Sequence, residues 1–143
     1  MLGSWVDGYI TGINQQTPGV YNVTSFESNE LIAALVNEHC SKNPQDSMFA
    51  VVKLLIDKMA ANKLTEPSNK VNVELGERNV SLYVETLKRI QEKLTALTFY
   101  KGEVNGEYNE ALQQAIGRYQ TSIELNPTGF PDQLTLWRLF TDL

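Results

Sequence analysis

The chain has few of the residues that most often carry chemistry. Its 143 residues include one cysteine, Cys40, and one histidine, His39. A single cysteine excludes an intrachain disulfide. One histidine and one cysteine are too few for a metal centre unless several carboxylates join them, so no metal and no other cofactor is expected. Cys40 shares a helix face with Val36 and reads as a small buried hydrophobe. The alternatives are a thiol whose partner lies outside this sequence and a reactive thiol, although His39 points about 100° away around a helix. No Gly-x-Ser-x-Gly turn is present, and His39 cannot both bond Cys40 and face a cleft, so nucleophilic catalysis has no constellation to rest on. No apolar run approaches the ~20 residues needed to cross a bilayer. Positive charge is scarce as well, with 12 Lys+Arg against 17 Asp+Glu. Residues 1–81 hold 6 basic and 9 acidic side chains and residues 82–143 hold 6 and 8. Neither half offers the cationic patch of a nucleic-acid binder.

What is present is helical periodicity, and the fold class expected from it is all-α. A first helix is expected over 5–14, with Trp5, Tyr9, Ile10 and Ile13 on one side. Gly8 and Gly12 cost that helix about 1 kcal/mol each but would let another helix approach closely. A loop follows around Pro18-Gly19. The second helix should begin between Thr24 and Ser28, where Thr24 and Glu27 have capping-box spacing, and bury Leu31, Ile32, Leu35 and Val36. Asn43-Pro44 reads as the end of that helix and the start of a third, with Asn43 as N-cap and Asp46 near the positive end of its dipole. The third helix is apolar over more than half its circumference (Met48, Phe49, Val51, Val52, Leu55, Ile56, Met59). Residues 65–79 contain Pro67, Gly76 and a short Val71, Val73, Leu75 alternation, and read as a linker with at most one extended segment. A fourth helix is expected from about Val80, with Tyr83, Leu87, Ile90, Leu94 and Leu97 facing inward. No internal repeat is evident. The expected organisation is an N-terminal three-helix domain over 1–64, a linker over 65–79, and a C-terminal three-helix domain over 80–143 packed with the first.

Carboxylates are the remaining candidates for catalysis. Glu27, Glu30 and Glu38 could in principle supply the acid pair of a glycosidase. A helix first turn accounts for Glu27 and Glu30 without catalysis, and a first unit of this size is small for a hydrolase. Asn22-Val23-Thr24 and Asn79-Val80-Ser81 match a glycosylation pattern but read as turn and capping chemistry. No catalytic residues are assigned.

The C-terminal stretch carries a denser set of signals. Leu97, Phe99-Tyr100, Gly102 and Asn105-Gly106 come first. Ala115-Ile116 and Tyr119-Gln120 follow, and then Leu125, Thr128-Gly129, Asp132, Thr135 and Leu139. This succession resembles the peptidoglycan-binding domain family, a three-helix module often attached to bacterial cell-wall hydrolases, and covers roughly residues 82–143. The family often has glycine where Thr98 and Glu124 stand, both at loop entries where glycine relieves backbone strain. The resemblance implies a shallow polar groove with aromatic walls that holds sugars or stem peptide, with Tyr100, Asn105, Tyr108, Arg118 and Trp137 as the candidate ligand-binding residues. Core packing is the alternative role for Tyr119 and Trp137. The same fold also serves as a prodomain or docking unit without wall affinity.

Residues 5–62, through Trp5 to Gly12 and then Asn37-x-x-Cys40-x-x-Asn43-Pro44, are similar to small helical periplasmic proteins related to the HdeA acid-stress chaperone and the Rap/Tai immunity proteins. Those proteins typically pair the cysteine at the place of Cys40 with one nearer the N-terminus, which this sequence lacks. Together the two resemblances imply a non-catalytic protein of the periplasm or cell envelope, with its signal peptide already removed. Its C-terminal domain would bind peptidoglycan and its N-terminal domain would contact another envelope protein. The alternatives are an immunity, inhibitor or chaperone-like protein, and a small cell-wall hydrolase.

Overall fold

The computed structural model describes residues 2–141. The chain divides into two compact units, Met1–Pro67 and Ser68–Leu143, each with its own core.

The first unit is built from α1 (Leu2–Gln16), α2 (Asn29–Lys42) and α3 (Met48–Met59), followed by a single 3-10 turn over Ala60–Asn62. Val6 and Ile10 of α1, Ile32 and Val36 of α2, and Val52, Ile56 and Met59 of α3 form the core. Their spacings of three, four and seven residues each line one stripe of a helix. The loop between α1 and α2 is fixed by an antiparallel bridge between Asn22 and Leu64. Asn22 also accepts at Oδ1 from Asn14 Nδ2, Thr24 N and Thr24 Oγ1, which is turn chemistry as expected for that segment.

Helix boundaries here depart from the sequence reading for local reasons. The N-cap of α2 is Ser28, whose hydroxyl accepts from Leu31 N at 3.2 Å, so Glu27 lies before the helix rather than in its first turn. Asn43 caps the C-terminus of α2, not the N-terminus of α3. Its backbone N–H and its Nδ2 both donate to His39 O, at 2.9 and 3.0 Å. With that side chain turned back, α3 starts later, at Met48, with Ser47 as its N-cap. Asp46 pairs with His39 Nε2 at 2.7 Å. Built Cβ atoms on Gly8 and Gly12 would meet nothing within 4 Å, so among the described residues no helix uses the close approach these glycines permit.

The second unit corrects the all-α expectation. Strands β1 (Lys70–Leu75) and β2 (Arg78–Tyr83) form a two-stranded antiparallel hairpin, in register from Lys70 opposite Tyr83 to Leu75 opposite Arg78. The hairpin occupies most of the span expected to be a linker and the start of a helix. Its turn is Gly76-Glu77, with Gly76 at φ 61°, and glycine at the first turn position matches the right-handed twist of paired strands. Val73 and Leu82 are buried while their neighbours Asn72, Glu74 and Ser81 are exposed, the two-residue period of a strand. The protein is therefore mostly helical with one small sheet.

Helices α4 (Val84–Ala96), α5 (Glu110–Ser122) and α6 (Gln133–Thr141) complete the unit. Leu87, Ile90 and Leu94 of α4 are fully buried, together with Leu112 and Ile116 of α5 and Leu136 and Leu139 of α6. Each such side chain contributes roughly 1.5–3 kcal/mol by leaving water. Leu97, expected to face inward, is 44% exposed because α4 has ended and Leu97 stands at its C-cap.

Candidate functional site

Two loops follow α4 and α5, and both are built on the same plan. In each, a glutamine buried on the preceding helix gathers the loop. Gln91 accepts at Oε1 from Asn105 N (3.0 Å) and Gly106 N (2.8 Å), and its Nε2 donates to Asn105 Oδ1 and Glu107 O, both at 3.1 Å. Gln120 accepts at Oε1 from Gly129 N (2.8 Å), and its Nε2 donates to Phe130 O and Thr135 Oγ1, both at 3.0 Å. The residue before each glycine bonds the backbone two positions on: Asn105 Oδ1 accepts from Glu107 N at 3.0 Å, and Thr128 Oγ1 from Phe130 N at 3.1 Å. Three residues after each glycine comes the cap of the next helix. Asn109 Oδ1 accepts from Leu112 N, and Asp132 Oδ1 from Thr135 N, both at 2.9 Å.

Gly106 and Gly129 have φ of 76° and 74°, and a Cβ on either would fall 2.7 Å from a side-chain carbon of the preceding helix, Val84 or Gln113. Backbone conformation and space both demand glycine there. A repeated Gln…(Asn/Thr)-Gly-x-x-(Asn/Asp) device therefore exists in the second unit, although no repeat was evident in the sequence. The signal available was that Gln91 and Gln120 each lie four residues after an apolar core position, Leu87 and Ile116, on the buried face of a helix.

The two loops are tied by Tyr108, whose hydroxyl donates to Gly129 O at 2.7 Å. Half-buried, Tyr108 has its phenol pKa raised above the ordinary 10.0 by desolvation, so it stays protonated and remains a donor at neutral pH. Tyr108 also stands where two adjoining clefts meet. One lies between β1 and the Gly106–Tyr108 turn, and the other between Glu74 and the first turns of α5. Glu74 lines both clefts, so they run into one groove along β1. Glu107 and Glu110 also line it, and no lysine or arginine does.

The five candidate residues separate in this arrangement. Tyr108 lines the groove. Asn105 does not line it but precedes Gly106, which does, and its Nδ2 donates to the lining residue Glu107 at Oε2, 3.2 Å away. Tyr100 is 2% exposed and Trp137 5%, so neither ring presents a face to a ligand. Tyr100 instead donates through Oη to Glu103 O at 2.9 Å, and its ring lies where a Cβ on Gly102 would fall. Arg118 is exposed on α5, and its Nη2 donates to Phe99 O at 2.7 Å, which pins the loop entry after α4. The residues missed by sequence reasoning are Asn72, Glu74, Glu107 and Glu110. The stretch holding β1 reads as a linker in the sequence, and single acids in it and after Gly106 carry no spacing signal that marks a groove.

Residues 84–139 match the family model described as Putative peptidoglycan binding domain. The match spans α4 to α6 and both glycine loops, and leaves β1 and β2 outside it. No curated protein and no solved structure matches the chain.

Proposed function

We propose that the chain is a non-catalytic, exported cell-envelope protein that binds peptidoglycan through its second unit, at the groove lined by Tyr108 and shaped by the Asn105-Gly106 turn. The observation that carries this reading is the family match over 84–139, whose first glycine loop forms one side of that groove. Tyr108 offers a ring at the surface, held by its bond to Gly129 O, and Asn105 sets the turn beside it. Tyr100, Trp137 and Arg118 serve the frame behind these contacts.

Sedimentation with purified insoluble sacculi tests the reading. The chain should be enriched over a buffer control at low and moderate salt, and the Tyr108→Ala variant should lose most of that enrichment while keeping its helical circular dichroism. No enrichment of the wild-type chain would overturn the proposal. Dye-labelled sacculi should release no dye; release by this chain alone would replace the binding reading with a hydrolase.

A second role belongs to the first unit, where an exposed aromatic cluster favours a protein partner. Trp5 stacks on Tyr9 with ring centroids 5.5 Å apart, and Phe49 meets both edge-on at 6.3 and 5.8 Å. Trp5 and Phe49 remain 39% and 51% exposed, the kind of apolar patch that contacts other proteins. This supports an interaction module alongside wall binding, or an immunity or inhibitor protein in which the second unit only docks. Copurification of a wall-cleaving enzyme that is released by Trp5→Ser would favour the latter.

A further inference from the structure

We infer that the groove takes the peptide part of its polymer rather than the sugar part. A short extended segment carrying a free side-chain ammonium would add to the open edge of β1. The inference rests on the wall-binding reading above but draws on β1, which lies outside the matched family segment.

The register fixes which backbone groups of β1 are free. Val84 N donates to Asn69 O at 2.9 Å, and this continues the ladder one step beyond the Lys70–Tyr83 pair. Hydrogen-bonded and non-bonded pairs alternate along antiparallel strands. Asn69, Val71, Val73 and Leu75 therefore turn their N–H and C=O groups to β2, while Asn72 and Glu74 turn theirs the other way. The sheet has two strands among the described residues, so those groups meet no further strand there, and Asn72 and Glu74 both line the groove. Two outward residues offer two donors and two acceptors, enough to hold two or three residues of an extended chain by strand addition. The acetamido groups of a wall glycan are substituents on its rings and do not form a backbone row of N–H and C=O at strand spacing.

Charge selects among peptides. Glu74, Glu107 and Glu110 line the groove with no cation among the lining residues, which favours an ammonium by direct Coulomb attraction. Glu74 accepts from Asn72 Nδ2 at 2.6 Å and keeps a second oxygen for a ligand. A second copy of the chain docking here would bring the same three carboxylates, so a diamino-acid stem peptide is the better occupant.

The test uses the full chain and two synthetic stem peptides, identical except that the side-chain amine of the diamino acid is free in one and acetylated in the other. Calorimetric titration should show the free amine binding about tenfold tighter or more, a difference of about 1.4 kcal/mol. Asn72→Pro removes an outward N–H without breaking the β1–β2 ladder and is tolerated on an edge strand. It should weaken binding of the free-amine peptide by a similar factor with an unchanged melting curve. The double variant Glu74→Gln, Glu107→Gln keeps the edge intact and should erase the preference between the two peptides. Equal affinity for both peptides in the wild-type chain would overturn the inference. So would loss of binding in neither variant, or a concentration-dependent dimer abolished by Asn72→Pro. Sedimentation with sacculi in the absence of binding to either peptide would overturn it while leaving the wall reading intact. Binding to the free-amine peptide without sedimentation would sink the wall reading and keep the strand-edge site.

Discussion

Thr98 and Glu124 stand at φ 68° and 61°, the only non-glycine residues at positive φ among those described. Both side chains are exposed, so nothing in the fold repays the steric cost of a Cβ in the left-handed region, which is about 1–2 kcal/mol. Replacing each by glycine should stabilise the second unit by about 0.5–1 kcal/mol, after allowing for the extra freedom glycine gives the unfolded chain. Thr98→Gly should gain more than Glu124→Gly, because a β-branched residue tolerates that backbone least. Denaturant unfolding measures this, and a loss of stability in both variants would mean that the exposed side chains contribute more than the strain they impose. These two positions were legible beforehand because the family that this stretch resembles often has glycine there. Gln120 stands in the pattern that carries the resemblance, but its role and the whole of Gln91 were not legible, since a glutamine on a helix shows no partner until a loop is seen folded around it.

Among the elements, the helix–loop joints of the second unit depend on single side chains. Gln91→Leu preserves volume and helix propensity but leaves the N–H groups of Asn105 and Gly106 without the oxygen that now accepts both. Unsatisfied buried donors cost about 1–3 kcal/mol each; with partial relief from water, the substitution should destabilise the unit by roughly 2–4 kcal/mol. Hydrogen exchange at Gly106 should accelerate well before exchange in α5 and α6. A loss below about 0.5 kcal/mol would mean that the loop is held by its neighbours instead. The helical elements were readable because apolar side chains recur on one face over three or four turns. The hairpin was not, for two physical reasons. Six-residue strands give only three inward positions, of which Val73 is fully buried in β1. Tyr83, Leu87, Ile90 and Leu94 also keep near-helical spacing straight through the strand–helix junction. Asn43-Pro44 misled similarly, because the same dipeptide that starts a helix can finish one when the asparagine side chain reaches backward.

At the scale of the whole molecule the chain answers pH through the first unit. Glu27 is buried, and desolvation raises its carboxyl pKa above 4.5 against three backbone N–H groups, of Ser25, Phe26 and Glu27 itself, that pull it down. A raised value means that the folded chain keeps its proton where the unfolded chain has lost it. This contribution is present in full below 4.5 and is lost as pH rises through the folded value. Glu30 and Glu38 are lowered, Glu30 by its own backbone N–H and Ser28 and Glu38 by Lys42, and act in the opposite sense. Glu27→Gln therefore isolates the effect. The melting temperature of the wild-type chain relative to this variant should climb as pH falls from neutral toward 4.5, and a flat difference would mean that the carboxylate is solvated in the folded state. The sequence pattern reads as domains over 1–64 and 80–143 joined by a linker over 65–79, whereas the structure divides at Pro67/Ser68 and gives the intervening residues to the second unit. The groove was not legible, because its walls come from residues 71–74 and 106–114, about thirty positions apart, and become one site only when the hairpin closes.

Asn105-Gly106 has a further consequence, for how the protein ages. An asparagine followed by glycine is the sequence most prone to lose ammonia, because the unhindered glycine nitrogen attacks the side-chain carbonyl and closes a succinimide ring. Here that nitrogen is committed to Gln91 Oε1 at 2.8 Å, and the asparagine carbonyl is held by Gln91 Nε2 and Glu107 N. The folded chain should therefore resist a reaction to which its sequence invites it. Gln91→Leu, incubated warm and followed by mass spectrometry, should accumulate aspartate and isoaspartate at position 105 while the wild-type chain does not. The glutamine that builds the groove then also sets its shelf life.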